Sequence, residues 1–136
     1  MPTVLSVQSW VAFGNVGNTA ALFPLQRLGC ETWSLNTVAF SNHTGYGKWR
    51  GAAVPASEIA ALFEGIAELG VLPRCDAVLS GYLGEAETGP VLLDIVTRVN
   101  EIRRENPALH LYSNLRFYGK CGARVSRLFM GGKRPL

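Results

Sequence analysis

The 136-residue sequence contains no apolar run of about 18 residues, the length that a membrane-spanning helix requires. Its first residues show no basic segment followed by an apolar stretch, so we read no signal peptide and expect a cytoplasmic protein without membrane attachment. Three cysteines, none in a CxxC pair, favour reduced thiols over a disulfide framework or a zinc site. The motifs GxxxxGK[ST], GxGxxG, GxSxG and HExxH are also absent.

Charge is scarce and unevenly placed. Hydrophobic residues make up 48% of the chain and charged residues 17%, which excludes a disordered polypeptide and allows one domain with a sizeable core. Residues 1–112 carry seven Lys/Arg and ten Asp/Glu, whereas residues 113–136 carry six Lys/Arg and no acid. We expect this basic, glycine-containing tail to be irregular. Nucleic acid is a disfavoured partner, because the tail lacks arranged aromatic platforms for bases.

Strand and helix patterns alternate before the tail. Apolar runs predict strands at Thr3–Val7, Thr32–Phe40, Ala77–Leu79 and about Ala108–Tyr112. Helical spacing predicts helices capped by Asn18 or Thr19, capped by Ser57, and running from Thr88 to about Arg104. A polar, glycine-rich loop is expected over residues 41–51. This alternation predicts an α/β fold, a parallel sheet with helices on both faces.

Polar clusters follow three of the predicted strands: Gln8-Ser9, residues 41–46 and residues 80–82. In open α/β sheets, ligands bind beyond the carboxyl ends of the strands. Each cluster also has a structural explanation. Ser9 could be a turn serine, His43 a structural hydrogen-bonding residue, and Tyr82 a core aromatic with its hydroxyl at the rim. These residues alone predict an α/β domain that binds a small ligand.

Two strings are more specific: Phe40-Ser-Asn-His-Thr-Gly-Tyr46 and Leu79-Ser-Gly-Tyr-Leu-Gly84. With Val7-Gln-Ser9 and Gly14-Asn-Val-Gly-Asn18 upstream, the sequence from about residue 4 to about residue 111 resembles bacterial-type pyridoxal kinases of the ribokinase-like superfamily. The resemblance implies a truncated, three-layer ribokinase-like sheet over residues 1–112. It implies ATP-dependent phosphorylation of the 5′-hydroxyl of pyridoxal, pyridoxine or pyridoxamine, with Mg²⁺ as the metal. A homodimer is compatible with the resemblance.

The resemblance also implies a set of substrate-binding residues: Ser9, Val16, Val38, His43, Thr44, Gly45 and Tyr82. The serine would hydrogen-bond the polar edge of the pyridine ring, and the two valines would pack on the ring. The loop residues and the tyrosine would form the remaining walls. A flat, mostly apolar ligand requires such apolar faces with a few fixed polar contacts.

The resemblance fails after Tyr112. Residues 113–119 stand where the family has a motif whose aspartate helps to organise nucleotide and metal. The family's glycine-rich anion hole and aspartate base are not recognisable further on, so we expect no catalytic residue, no metal ligand and no activity of this chain alone. A shifted reading frame or a mis-predicted gene end would explain the acid-free tail. The alternative function is a non-catalytic vitamer-binding or interaction fragment.

Overall fold

The computed structural model describes residues 1–104 and 114–115. Its strands and helices are β1 (Thr3–Phe13), α1 (Asn18–Arg27), β2 (Glu31–Asn42), β3 (Gly51–Ala53), α2 (Ala56–Glu68), β4 (Ala77–Ser80), α3 (Thr88–Arg104) and β5 (Asn114–Leu115). Short 3₁₀ turns lie at Thr44–Tyr46 and Leu72–Arg74. The five strands form one sheet in the order β3-β2-β1-β4-β5.

The sheet is parallel except at one edge. β1 pairs in parallel with β2 and β4, and β5 pairs in parallel with β4, whereas β3 runs antiparallel to β2. The loop predicted over residues 41–51 is therefore wrong at both ends, because β2 continues to Asn42 and the chain returns as β3 at Gly51. Gly51 has a φ of 105°, and a Cβ there would fall on the carbonyl oxygen of Ala39, so this close return requires glycine.

Helices cover both faces of the sheet, as predicted. Along β1, Leu5 and Val7 point towards α2 and α3, while Ser6 points to the opposite face and donates a hydrogen bond to Asn18 of α1 (2.7 Å). The core between the sheet and α2 and α3 consists of Leu5, Val7, Leu35, Ile59, Phe63, Leu72, Cys75, Val78, Leu92, Ile95, Val96 and Val99. Full burial of one such large side chain contributes about 1.5–3 kcal/mol.

The predicted helix caps differ from the observed ones. Gly17, not Asn18 or Thr19, is the N-cap of α1, and α2 begins after Pro55 rather than after Ser57. The first N–H of α2 is satisfied from a distant loop instead, because the Glu85 carboxylate accepts a hydrogen bond from the Ala56 N–H (3.0 Å). A carboxylate is favourable there because the amino end of a helix is electropositive.

Arg98 ties α3 to α2. Its guanidinium donates two hydrogen bonds to the Glu64 carboxylate, at 2.6 and 3.2 Å, and lies 5.0 Å from the centre of the Phe63 ring. The hydrogen bonds from Arg98 are the main reason that the pKa of Glu64 is lowered from its ordinary value. Because the Glu64 side chain is about half exposed and that of Arg98 about a third, solvent screens this pair and its contribution to stability is small.

Two residues of the predicted tail belong to the sheet. Asn114 pairs with Leu79, and Leu115 with Ser80, so strand pairing extends past residue 112. The strand predicted at 108–112 and the remainder of the tail lie outside the described residues. Within the described part, no helix is long and apolar enough to span a bilayer. Cys30 and Cys75 are not joined by a disulfide.

Candidate ligand-binding cleft

At the carboxyl edge of the sheet, the paired strands β1 and β2 extend beyond β4. β4 ends at Ser80, which pairs with Val7, whereas the pairing of β1 with β2 continues to Phe13 and Asn42. The loops that follow this extension enclose a cleft of about 440 Å³, lined by Phe13, Gly14, Asn15, Val16, His43, Gly45 and Tyr46. The rule that ligands bind at the carboxyl ends of strands thus points to an actual concavity.

Ser9 lies at an irregularity in β1–β2 pairing. Gln8 pairs with Asn36 but Trp10 with Ala39, so β2 contains one extra residue opposite Ser9. The side chain of Ser9 is buried, and its hydroxyl has no hydrogen-bond partner among residues 1–104. Gly17 packs directly on Ser9, because a Cβ at Gly17 would overlap the Ser9 carbonyl oxygen and Oγ. A hydroxyl that makes no bond within the described residues is available to a polar ligand atom.

A buried amide holds the neighbouring turn in place. Asn18 is completely buried; its Oδ1 accepts from the Ser6 hydroxyl (2.7 Å), and its Nδ2 donates to Asn36 Oδ1 (2.7 Å) and the Leu35 carbonyl (3.2 Å). Gln8 Nε2 in turn donates to Ser6 Oγ (2.9 Å). The network joins α1 to both central strands directly beside Gly17. Sequence reasoning missed it; the available signal was the polar pair Ser6 and Gln8 within an otherwise apolar strand.

The second wall of the cleft is the loop after β2, which is held by hydrogen bonds between its own residues. His43 precedes the 3₁₀ turn, and its Nδ1 accepts a hydrogen bond from the Gly45 N–H (3.0 Å). Asn42 closes the neck of the loop, because its Nδ2 donates to the carbonyls of His43 (3.1 Å) and Lys48 (2.7 Å). Gly47, with a φ of 78°, ends the turn by donating to the Thr44 carbonyl (3.0 Å). The loop is thus shaped before any ligand arrives.

The structure brings only some of the predicted site residues together. Val16, His43 and Gly45 line the cleft, and Thr44 is an exposed residue of the same loop. Ser9 is not among the lining residues and lies against Gly17. The remaining two residues are not part of the lining.

Val38 and Tyr82 lie near the loop after β4. Val38 is completely buried, and a Cβ at Gly84 would press on its Cγ1. Tyr82 is 42% exposed, its carbonyl accepts a hydrogen bond from the Thr37 hydroxyl (2.6 Å), and its own hydroxyl donates to the Gly84 carbonyl (3.4 Å). Their proposed contact with a ligand remains a prediction.

Two aromatic side chains add a wall that sequence reasoning did not assign. Phe13 and Tyr46 line the cleft, with ring centres 6.1 Å apart and an angle of 57° between the rings. Such tilted pairs are favourable for aromatic rings. Tyr46 was visible in the specific string around His43, but Phe13 was not, because the sequence predicted that β1 ends at Val7.

The described residues do not form a metal-binding centre. Within residues 1–104 and 114–115, no three His, Cys, Asp or Glu side chains are close enough together to hold a metal ion. Mg²⁺ takes oxygen ligands, chiefly carboxylates, waters and substrate phosphates. The described residues therefore form a cleft without a three-ligand metal centre.

Comparisons with known proteins agree with this architecture. No family model matches the chain. Over 104 residues it is 59% identical to the pyridoxal kinase PdxY of Granulibacter bethesdensis, covering 76% of this chain and 35% of that protein. The solved pyridoxal kinase of Leishmania donovani in complex with ADP and pyridoxine superposes with a TM-score of 0.76 and 33% identity, over 82% of this chain and 38% of the other. The pyridoxal kinase of Trypanosoma brucei gives 0.75 and 37%, over 82% and 40%.

These findings show that the chain shares the ribokinase-like α/β fold of the kinases it matches, as the alternation of strands and helices and the specific strings predicted. Within that class, the chain is a homologue of the amino-terminal part of pyridoxal kinases. It spans about a third of the length of the curated relatives it matches, the matched share being 35% for the Granulibacter protein.

Proposed function

We propose that this chain carries the vitamer-binding part of a pyridoxal kinase, an enzyme that phosphorylates the 5′-hydroxyl of pyridoxal with ATP. One observation carries the proposal most strongly. The Ser9 hydroxyl makes no hydrogen bond within residues 1–104 and lies against Gly17, next to the turn that lines the cleft; the loop from His43 to Tyr46 forms the second wall. The same segment is 59% identical to a pyridoxal kinase.

The chemistry of the cleft suits a pyridine ring with polar substituents. Val16 and Phe13 supply apolar surface, and His43 and Asn15 supply polar edges. Burial of a flat ring between apolar walls, oriented by a few fixed polar groups, is the usual arrangement in sites for small ligands. We propose that the substrate contacts are made by the seven residues inferred from the resemblance: Ser9, Val16, Val38, His43, Thr44, Gly45 and Tyr82.

The nucleotide side of the reaction is also a proposal. Pyridoxal kinases of Leishmania donovani have been solved with ADP and with pyridoxine or pyridoxamine, which supports a nucleotide and several vitamers as ligands. When bound, Mg²⁺ would neutralise charge on the transferred phosphoryl group. We propose that the described residues bind and orient the vitamer, since apolar and polar side chains line one cleft and no cluster of three metal ligands occurs among these residues.

A non-catalytic vitamer-binding fragment is the second candidate. It would use the same cleft, in a chain that covers 35% of the length of the Granulibacter relative. The two candidates differ in whether a kinase activity exists once the remaining part is supplied. A cytoplasmic location and a homodimer remain predictions from the sequence.

Isothermal titration of pyridoxal into the purified chain tests the proposed binding site. Replacement Ser9→Ala removes one hydrogen bond to the ligand, so the affinity should fall by about 2- to 12-fold, equivalent to about 0.5–1.5 kcal/mol. Ser34→Ala is the matched control, because Ser34 is an exposed serine of β2 whose hydroxyl has no hydrogen bond in the described part of the chain. Equal affinity of all three proteins would exclude Ser9 from the site, and no binding by the unsubstituted chain would contradict the proposed function.

A further inference from the structure

The hydrogen bond within the His43 loop determines where the imidazole proton is. Nδ1 of His43 accepts a hydrogen bond from the Gly45 N–H at 3.0 Å. A ring nitrogen that accepts a hydrogen bond carries no proton, so the proton of the neutral ring is on Nε2. Nε2 makes no hydrogen bond within the described part of the chain, and His43 lines the cleft. The ring therefore offers the cleft a donor.

Glycine is required at position 45 because the His43 imidazole lies so close, not because of the backbone conformation of Gly45. Its φ is not in the left-handed region, so an L-residue fits the main chain. A Cβ at Gly45, however, would lie 2.7 Å from His43 Nδ1 and 3.0 Å from its Cε1. Alanine at this position would push the imidazole away from the N–H that it caps, without altering any ionisable group.

We propose that Gly45 is a positioning residue that locks His43 as the Nε2–H tautomer, and that this N–H donates to an acceptor oxygen of the bound ligand. The identity of that ligand as pyridoxal rests on the proposed function; the tautomer does not. Pyridoxal carries a phenolic oxygen, which pyridoxine and pyridoxamine also have, and this oxygen can accept the bond. The lock makes the cleft selective, because a ligand presenting an N–H at this point would face donor against donor.

The tautomer can be measured without any ligand, by long-range ¹H–¹⁵N correlation on the chain labelled at histidine. His110→Gln leaves His43 as the only histidine and assigns its signals. At alkaline pH, where imidazole side chains are neutral, we expect separate signals for an unprotonated Nδ1 and a protonated Nε2. Averaged signals of two exchanging tautomers, or a protonated Nδ1, would overturn the lock.

Gly45→Ala tests the steric part of the proposal. We expect this variant to show averaged tautomer signals, because the capping bond is broken. Gly65→Ala is the control, since Gly65 has nothing within 4 Å of the added Cβ, and it should leave the His43 signals unchanged. A Gly45→Ala protein with the same separated signals as the parent would show that Gly45 does not position the ring.

A pair of His43 substitutions tests the donor role with pyridoxal as the probe. His43→Gln keeps an N–H near the place of Nε2, whereas His43→Asn keeps an acceptor near the place of Nδ1 and loses the distal donor. We expect His43→Asn to bind pyridoxal about 2- to 12-fold more weakly than His43→Gln. The reverse order would mean that the histidine acts only as a cap. Failure of the unsubstituted chain to bind pyridoxal would overturn the ligand part while the tautomer result stands.

Discussion

Asn18 is the buried polar residue on which the geometry of the cleft depends most, and its removal has a calculable cost. Asn18→Ala abolishes three hydrogen bonds of 3.2 Å or less, to Ser6, Asn36 and the Leu35 carbonyl. Each neutral hydrogen bond contributes about 0.5–1.5 kcal/mol, so the free energy of unfolding should fall by roughly 1.5–4.5 kcal/mol. The site is fully buried, so the three former partners remain unsatisfied unless water enters the vacated space.

Urea unfolding, followed by circular dichroism, measures this loss. The control is Asn100→Ala, since Asn100 lies on α3 and its side chain has no hydrogen bond in the described region. Asn100 lies inside its helix, where alanine is the better helix former, so any gain in helix propensity is not a loss of hydrogen bonds. A difference below about 0.5 kcal/mol between the two variants would refute the structural role of Asn18. If Asn18→Ala does not fold, Asn18→Ser, which keeps one hydroxyl for bonding, should give an intermediate loss.

The remaining predictions concern an ion pair, a glycine and the activity. Because Arg98 lowers the pKa of Glu64, this pair stabilises the fold above the ordinary carboxyl range and its contribution is lost as the pH falls through the lowered pKa. Glu64→Gln should remove that part of the acid dependence of urea unfolding, whereas Glu68→Gln should not. Gly17→Ala should destabilise the fold more than Gly29→Ala. Both glycines have positive φ, but only a Cβ at Gly17 would overlap Ser9, so equal losses in thermal unfolding would contradict that overlap. Finally, the chain with ATP, Mg²⁺ and pyridoxal should form no pyridoxal 5′-phosphate by chromatography, whereas a version extended by the remaining two thirds of a relative should; turnover near about 1 s⁻¹ by the chain alone would contradict this.

Long periodic patterns allowed most of the fold to be predicted from the sequence. The apolar spacing from Thr88 to Arg104 predicted α3 with the bounds observed. By contrast, β3 has only Gly51, Ala52 and Ala53, which carry no alternation, so its formation depends on pairing with β2. β1 likewise continues to Phe13 because the residues after Val7 pair with β2, and their sequence alone does not predict a strand.

The sequence predicted the position of the cleft only in part, because the predicted cluster at residues 80–82 does not line it. The carboxyl-end rule brought the clusters at Ser9 and His43 to one edge of the sheet. The irregular pairing opposite Ser9 and the Gly45–His43 hydrogen bond could not be predicted, since each depends on atoms brought together by the fold. The expected ligand, pyridoxal, was inferred from the family resemblance. The requirement for glycine at position 45 follows from the structure, because a Cβ there would collide with the His43 ring.

The central claim, that the cleft between the 14–17 turn and the His43 loop binds pyridoxal, is tested most directly by titrating pyridoxal into ¹⁵N-labelled chain. Amide shifts should move saturably at residues 9, 14–17 and 43–46 and remain constant along the exposed side of α2 and α3. The same titration with Ser9→Ala should need more pyridoxal to reach saturation. Shifts confined to surfaces away from the cleft, or no shifts at millimolar pyridoxal, would contradict the account.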